Sequence, residues 1–210
     1  MKKHLLIAAC LLGMTCAMSS VQAQEKTTPR LATDETRCAA WVDSVMSRLS
    51  LQEKVGQLLV PRVPAVADKA TRKRLKEWVR KYKIGGLLFG KGTIDGQAAL
   101  TNQAQKDAKV PLLMTVDGEW GLAMRLSDAP SFPRNAALGC IKDDALIEAY
   151  GREVGRELRQ LGVHVNFAPV ADANTNPLNP VINIRSFGED PRRVAAKVVA
   201  YSRGLESGRV

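Results

Sequence analysis

The chain has 210 residues, 45% of them hydrophobic and 25% charged, with 31 Lys and Arg against 21 Asp and Glu and a formal net charge of +10. That length suits one domain or part of one and allows a sizeable core. Its 4 cysteines are too few for a disulfide framework, and the positive balance has no recognition motif or aromatic platform beside it that would indicate nucleic-acid binding.

The first residues form an export leader. Lys2 and Lys3 make a basic start, Leu5 to Met18 an apolar run, and Val21-Gln22-Ala23 a small-residue cleavage site. The apolar run is shorter than the roughly 20 residues a spanning helix needs, so no stable membrane span is expected. Ile7-Ala8-Ala9-Cys10 resembles a lipoprotein box only loosely. Export to the periplasm or beyond is expected, and Cys10 and Cys16 leave with the leader. Cys38 and Cys140 then read as two separate thiols. The organisation reads as a leader at 1–23, a helical lead-in at 24–48 and a domain from 49 to 210.

Trp41, Val42, Val45, Met46 and Leu49 fall at helical spacing. Ser50-Leu51-Gln52-Glu53 is a capping box, and Leu51, Val55, Leu58 and Leu59 continue an apolar stripe. A first strand is expected within Leu58 to Val63, with Pro61 and Pro64 blurring its limits. The basic stretch from Asp68 to Lys83 places Leu75, Trp78, Val79 and Tyr82 at helical spacing, so its lysines and arginines decorate a solvated face. Weak attraction to anionic envelope polymers is compatible with it. Leu87-Leu88-Phe89 is a short strand, Ile94 to Lys109 a helix, and Pro111 to Val116 a strand. Asp143-Asp144 opens a helix lined by Leu146, Ile147, Tyr150, Val154, Leu158 and Leu161, which Gly162 ends. Val163 to Val170 is the next strand. Asp190-Pro191 starts a last helix, marked by Ala195, Val198, Val199 and Leu205 and closed by Gly208. Strands alternating with helices, with near-continuous apolar strands, indicate a parallel α/β fold. Periodicity alone does not separate a barrel from an open doubly wound sheet.

Several signals carry no chemistry. Gly85-x4-Gly90-Lys91 approaches a phosphate loop, but Gly92 replaces the metal-binding hydroxyl and the interior is a strand. His164 is the one histidine left after the leader, without ligands at metal spacing. No nucleophile elbow is present.

Two strand-end segments remain. In Val110 to Leu126 an apolar strand runs into Asp117, followed by Glu119 and Arg125. Ligands of parallel α/β folds sit at the carboxyl ends of strands, where a carboxylate accepts bonds from sugar hydroxyls and an arginine donates them. A turn cap with a structural Asp117–Arg125 ion pair fits the same residues. In Val165 to Pro191 a strand passes into Asp172, Asn174, Asn176, Asn179 and Asn183, then Arg185-Ser186-Phe187-Gly188. Turn chemistry explains the asparagines, whereas Arg185 offers several fixed donors to a polyol.

These segments resemble the N-terminal barrel domain of glycoside hydrolase family 3. The likeness rests on Asp117-Gly118-Glu119 with Arg125, on Asn166-Phe167-Ala168-Pro169-Val170, on Asn179-Pro180-Val181-Ile182 and on Arg185 to Pro191, in the family's order. It implies the N-terminal half of a (β/α)8 TIM barrel that removes β-linked sugars with retention through a glycosyl-aspartate. The R-S-F-G-x-D-P form is similar to the β-N-acetylglucosaminidase branch, with a β-linked N-acetylglucosaminide as carbohydrate substrate and no cofactor. By motif position Asp117, Arg125 and Arg185 correspond to sugar-contacting residues, while Glu119 and Asp172 brace loops. Trp120 in place of a glycine and Leu122 in place of an arginine depart from the pattern. The family's K-H-F-P-G-H-G motif and its nucleophile are expected beyond Val210, so the 210 residues are expected to hold no catalytic residue, to be inactive alone and to be poorly stable. A non-catalytic sugar-binding fragment or truncated gene product, or a β-glucosidase-type member, is the alternative.

Overall fold

The computed structural model describes residues 35–210, so the leader expected at 1–23 lies outside the described residues. Two units divide the chain, Met1–Ser44 and Val45–Val210. Helix α1 (Glu35–Met46) is the element described at the first unit. Ser50 caps α2 (Leu51–Gly56) as the sequence requires: its hydroxyl accepts the Glu53 N–H at 3.2 Å, and the Glu53 carboxylate accepts the Ser50 N–H at 2.9 Å.

The stripe after that cap does not behave as core. Leu51, Val55, Leu58 and Leu59 are all exposed. The helix docks through its small residue instead, since a Cβ on Gly56 would lie 2.0 Å from the Tyr82 carbonyl oxygen. Gln57 then donates to the Lys83 carbonyl at 2.6 Å. Close backbone approach decided the packed face, and apolar periodicity did not.

Four parallel strands follow, β1 (Arg62–Ala65), β2 (Gly86–Gly92), β3 (Leu113–Val116) and β4 (Val165–Asn166). They stand in the order β1-β2-β3-β4. Their crossovers carry α3 (Lys69–Arg80), α4 (Ile94–Asp107) and, between β3 and β4, α5 (Asn135–Gly139) and α6 (Asp144–Gln160). Helix α7 (Pro191–Ser207) comes last. A doubly wound sheet reverses direction at its middle, whereas here every strand adds on the same side of the one before. With right-handed crossovers, that order puts all the helices on one face. Burial agrees: Val63, Leu87, Phe89, Met114 and Val116 are fully buried with Leu75, Leu100, Val154 and Leu158 of the helices, while on the opposite face Leu113 is 52% exposed. This is the wall of the (β/α)8 barrel, its N-terminal half.

The first strand begins later than its apolar run, because Pro61 has no N–H, and Pro64 is tolerated on an edge strand. At the other edge, Val163 to Val170 shrinks to two paired residues. The Phe167 N–H still donates to the Val116 carbonyl at 2.9 Å, but Pro169 cannot donate and the ladder ends. Helix α3 keeps Thr71, Leu75 and Val79 inside and its basic residues outside. Helices α6 and α7 meet through glycines: a Cβ on Gly151 would fall 2.4 Å from the Tyr201 carbonyl oxygen, and one on Gly204 2.3 Å from that of Glu148. Leu146 and Val199, expected to line these helices, point to solvent. Cys38 and Cys140 are free and exposed.

His164 fastens β4 to β3. Its N–H donates to the Met114 carbonyl at 2.8 Å, and its Nδ1 accepts the Met114 N–H at 3.0 Å. An accepting Nδ1 requires the neutral ring. Burial, then Arg159, holds the pKa below the ordinary 6.5. A folded value below the unfolded one means that the unfolded state binds more protons at mildly acid pH. The contribution is therefore complete above about pH 6.5 and is lost as pH falls through the folded value. Urea melts between pH 7.5 and 5 should show stability falling, and His164→Asn, which keeps an acceptor without titrating, should flatten that fall. An identical slope in the variant would remove His164 from the account.

Candidate functional site

The loops after β3 and β4 leave the same end of the sheet, and Asn166 ties them together. Its Oδ1 accepts the Gly118 N–H at 2.9 Å and its Nδ2 donates to the Gly118 carbonyl at 3.2 Å. A side-chain amide thus extends the strand pairing by one step, directly beside Asp117. Gly121, at φ +80, turns the chain back under Phe132, where a Cβ would lie 2.8 Å from Phe132 Cδ2. Residues 122–124 form a short 3-10 helix and deliver Arg125.

Two ion pairs result. Arg125 Nη2 donates to Asp117 Oδ2 at 2.7 Å, with the Asp117 side chain 36% exposed. Arg185 Nε and Nη2 grip Glu119, at 3.0 and 2.7 Å to Oε1 and 3.1 Å from Nε to Oε2. The Glu119 side chain is 4% exposed and that of Arg185 35%. The Glu119 hydrogen bonds raise the Arg185 pKa above its ordinary value against the opposing effect of burial, and the fields of Glu119, Asp172 and Asp117 add to the rise. Asp117 and Arg185 therefore share one electrostatic neighbourhood at the carboxyl ends of β3 and β4.

Both partners of the second pair are anchored from behind. Asn135 Nδ2 donates to the Arg185 carbonyl at 2.7 Å. The hydroxyls of Tyr150 and Tyr201 approach the Glu119 carbonyl at 3.4 and 3.5 Å. Their rings stack at 5.0 Å, and Phe132 meets Tyr150 edge-on at 5.3 Å. Burial pushes the Tyr150 pKa up to about 12 and that of Tyr201 well above 10, so both stay protonated donors. Asp172 contributes its carbonyl, which accepts the Ser186 hydroxyl at 2.5 Å. Glu119 thus braces the loops through its side chain, whereas Asp172 does so only through its backbone carbonyl. Asn135 and the two tyrosine hydroxyls have no sequence signal of their own, since Asn135 belongs to no motif and tyrosines at helical spacing read as core. Cavities of about 560 and 530 Å³ lie elsewhere, the first between α6 and the end of α7, the second between α5 and residues 183–193.

Residues 50–210 match the family model described as Glycosyl hydrolase family 3 N terminal domain. The chain belongs to glycosyl hydrolase family 3. It is 32% identical over 211 residues to Beta-hexosaminidase LpqI of Mycobacterium tuberculosis, covering 98% of this chain and 52% of that protein. It is 35% identical over 149 residues to Beta-hexosaminidase A of Pseudoalteromonas piscicida, covering 65% of this chain and 25% of that one. The chain therefore spans about half the length of the first relative and a quarter of the second. Among solved structures, a family 3 β-N-acetylglucosaminidase from Paenibacillus sp. str. FPU-7 superposes with a TM-score of 0.68 at 32% identity, covering 76% of this chain and 31% of that one. M. tuberculosis LpqI superposes at 0.67 and 30% identity, covering 79% and 48%.

The two pairs differ in burial, so their loss should differ in cost. Glu119→Gln leaves Arg185 without its carboxylate in a nearly buried setting and should cost about 1–3 kcal/mol of unfolding free energy. Asp117→Asn, at a third-exposed pair, should stay within about 1 kcal/mol. Urea denaturation measures both, and equal losses would contradict the inequality.

Proposed function

We propose that this chain supplies the N-terminal part of an exported β-N-acetylglucosaminidase, a β-N-acetylhexosaminidase acting with retention on glycans that end in β-linked N-acetylglucosamine. In this reading Asp117, Arg125 and Arg185 bind the terminal sugar. The observation that carries it is the state of Asp117 in a chain of this family. Arg125 fixes one carboxylate oxygen at 2.7 Å, and a third of the side chain still faces solvent at the strand end. A carboxylate oriented by an arginine and open on its outer side accepts sugar hydroxyls without reorganising. Arg185, aligned by Glu119, keeps Nη1 toward the surface, where its one recorded contact is the Val181 carbonyl at 3.3 Å. The hexosaminidase names of the relatives support N-acetylglucosamine as the sugar, and the leader pattern of residues 1–23 supports export. None of the described helices is long and apolar enough to cross a membrane.

The division of labour is mechanistically simple. Asp117 and the two arginines hold hydroxyls on the non-reducing sugar, fixing the ring before bond cleavage. Positioning of this kind lowers the barrier by removing rotational freedom before the reaction. The acid/base and nucleophile roles of retaining hydrolysis are assigned to no residue of 1–210.

In the complete gene product, Asp117→Ala should lower kcat/KM for a chromogenic N-acetyl-β-glucosaminide by about tenfold to a hundredfold, the worth of one charged hydrogen bond. Arg185→Lys, which keeps a cation for Glu119 but loses the planar fork, should show a loss of similar direction. The melting temperature should change little for Asp117→Ala, whereas Arg185→Lys, which loosens the grip on the buried Glu119 carboxylate, should lower it, so its kinetics are read well below that temperature. Unchanged kinetics in the two variants would leave these residues structural.

A further inference from the structure

The apolar stripe that stays out of the core lies at the end of the sheet opposite the Asp117–Arg185 site. The Leu59 carbonyl, just after α2, accepts the Gly85 and Gly86 N–H groups at 3.0 and 3.3 Å, where β2 begins. Helix α2 thus sits at the amino ends of the parallel strands, whereas the two ion pairs stand at the carboxyl ends. Leu51 and Val55 share one side of α2 at helical spacing. In the turn that follows, the Leu58 N–H donates to the Val55 carbonyl at 3.1 Å, which keeps Leu58 on the same side. Leu51 is 79% and Leu58 82% exposed. Single exposed leucines are ordinary, but a row of them marks a contact surface.

Cations and a tyrosine stand beside this row. Lys54 belongs to the same helix, and the close approach of Gly56 and Gln57 to the chain after α3 brings in Lys81, Tyr82 and Lys83. Tyr82 is exposed, with Lys81 Nζ 5.2 Å from its ring centre. The acids of the two helices are already engaged. Glu53 accepts the Ser50 N–H and pairs with Lys109 at 3.2 Å, and Glu77 lies 3.8 Å from Lys81. Lys54 and Lys83 have no ion pair among the described residues. Exposed aliphatic side chains and uncompensated positive charge therefore occur on one face.

Such a face asks two things of a partner at once, an apolar layer for the leucines and negative charge next to it. A hydrated anionic polymer supplies the charge and leaves the leucines in water. The interface of an anionic bilayer supplies both, with headgroup phosphates for the lysines, acyl chains for Leu51 and Leu58, and the boundary between them for Tyr82. We propose that α2 and the end of α3 form a peripheral docking face for a bilayer containing anionic lipids, with the strand-end site turned away from it. The inference is independent of which sugar that site takes.

The test is vesicle co-sedimentation of the complete gene product, expressed from Gln24 so that no leader contributes. Vesicles of phosphatidylcholine alone are compared with equimolar phosphatidylcholine and phosphatidylglycerol. The wild type should bind the anionic vesicles about tenfold more tightly or better, since each lysine near such a surface is worth about fivefold. Salt should weaken that binding. Lys54→Gln with Lys81→Gln should lose most of the preference, and Leu51→Asn with Leu58→Asn should weaken binding by about tenfold or more. Melting temperatures of both double variants should stay close to that of the wild type. Equal or absent binding to the two kinds of vesicle, or binding that survives both pairs of substitutions, would overturn the proposal. So would a wild type that ignores vesicles but is retained by a soluble polyanion, which would assign the lysines to a polymer. A lower melting temperature in the leucine variant with vesicle binding intact would mean that protein covers the row, and would equally overturn it.

Discussion

The Glu119–Arg185 pair joins residues 66 positions apart, and the arrangement of the strand-end loops follows from it. A carboxylate 4% exposed is tolerated inside a protein only when its charge is matched and its oxygens are bonded. Arg185 meets that demand with two nitrogens, which fixes the plane of its own guanidinium in return. The loop after β4 is consequently pinned over the loop after β3. Asn135 holds the same arginine by its carbonyl, and the stacked tyrosines of α6 and α7 carry the constraint down to the helix layer.

That layer is rigid for a local reason. Glycines at 151 and 204 let α6 and α7 approach until backbone touches backbone, and tightly packed interiors transmit displacement instead of absorbing it. Tyr201, fully buried, thus reaches the site loop from α7, the third α-helix after it. Asp117 stands apart from this framework. Among the described residues its side chain is held by Arg125, and it remains a third exposed, so a rigid pair stands beside an accessible one. A buried, braced acid and an accessible one thus stand only two residues apart.

Much of this was legible in the sequence. Ser50, Asp143 and Asp190 cap the helices that follow them, because an N-cap is a local hydrogen bond that needs no tertiary context. Asp117, Glu119, Arg125 and Arg185 were singled out through their motifs. The pairing was not: Asp117–Arg125 lies within one loop and was foreseeable, but Glu119–Arg185 depends on how two strands register. Asn135 was invisible for the same reason. The stripe at Leu51, Val55, Leu58 and Leu59 misled, since periodicity reports an apolar face without saying whether anything packs on it. The strand expected over Val163 to Val170 overshot because β-propensity does not register where the last ladder donor falls.

In the proposed function, Asp117 and Arg185 address one sugar from two strand ends. The most direct measurement is a crystal structure of the complete gene product soaked with N-acetylglucosamine. The account predicts one pyranose ring with hydroxyls within about 2.7–3.2 Å of an Asp117 oxygen and an Arg185 nitrogen, with the Glu119–Arg185 pair unbroken behind it. A sugar bound elsewhere, or one contacting Asp117 while Arg185 remains turned wholly toward Glu119, would contradict it.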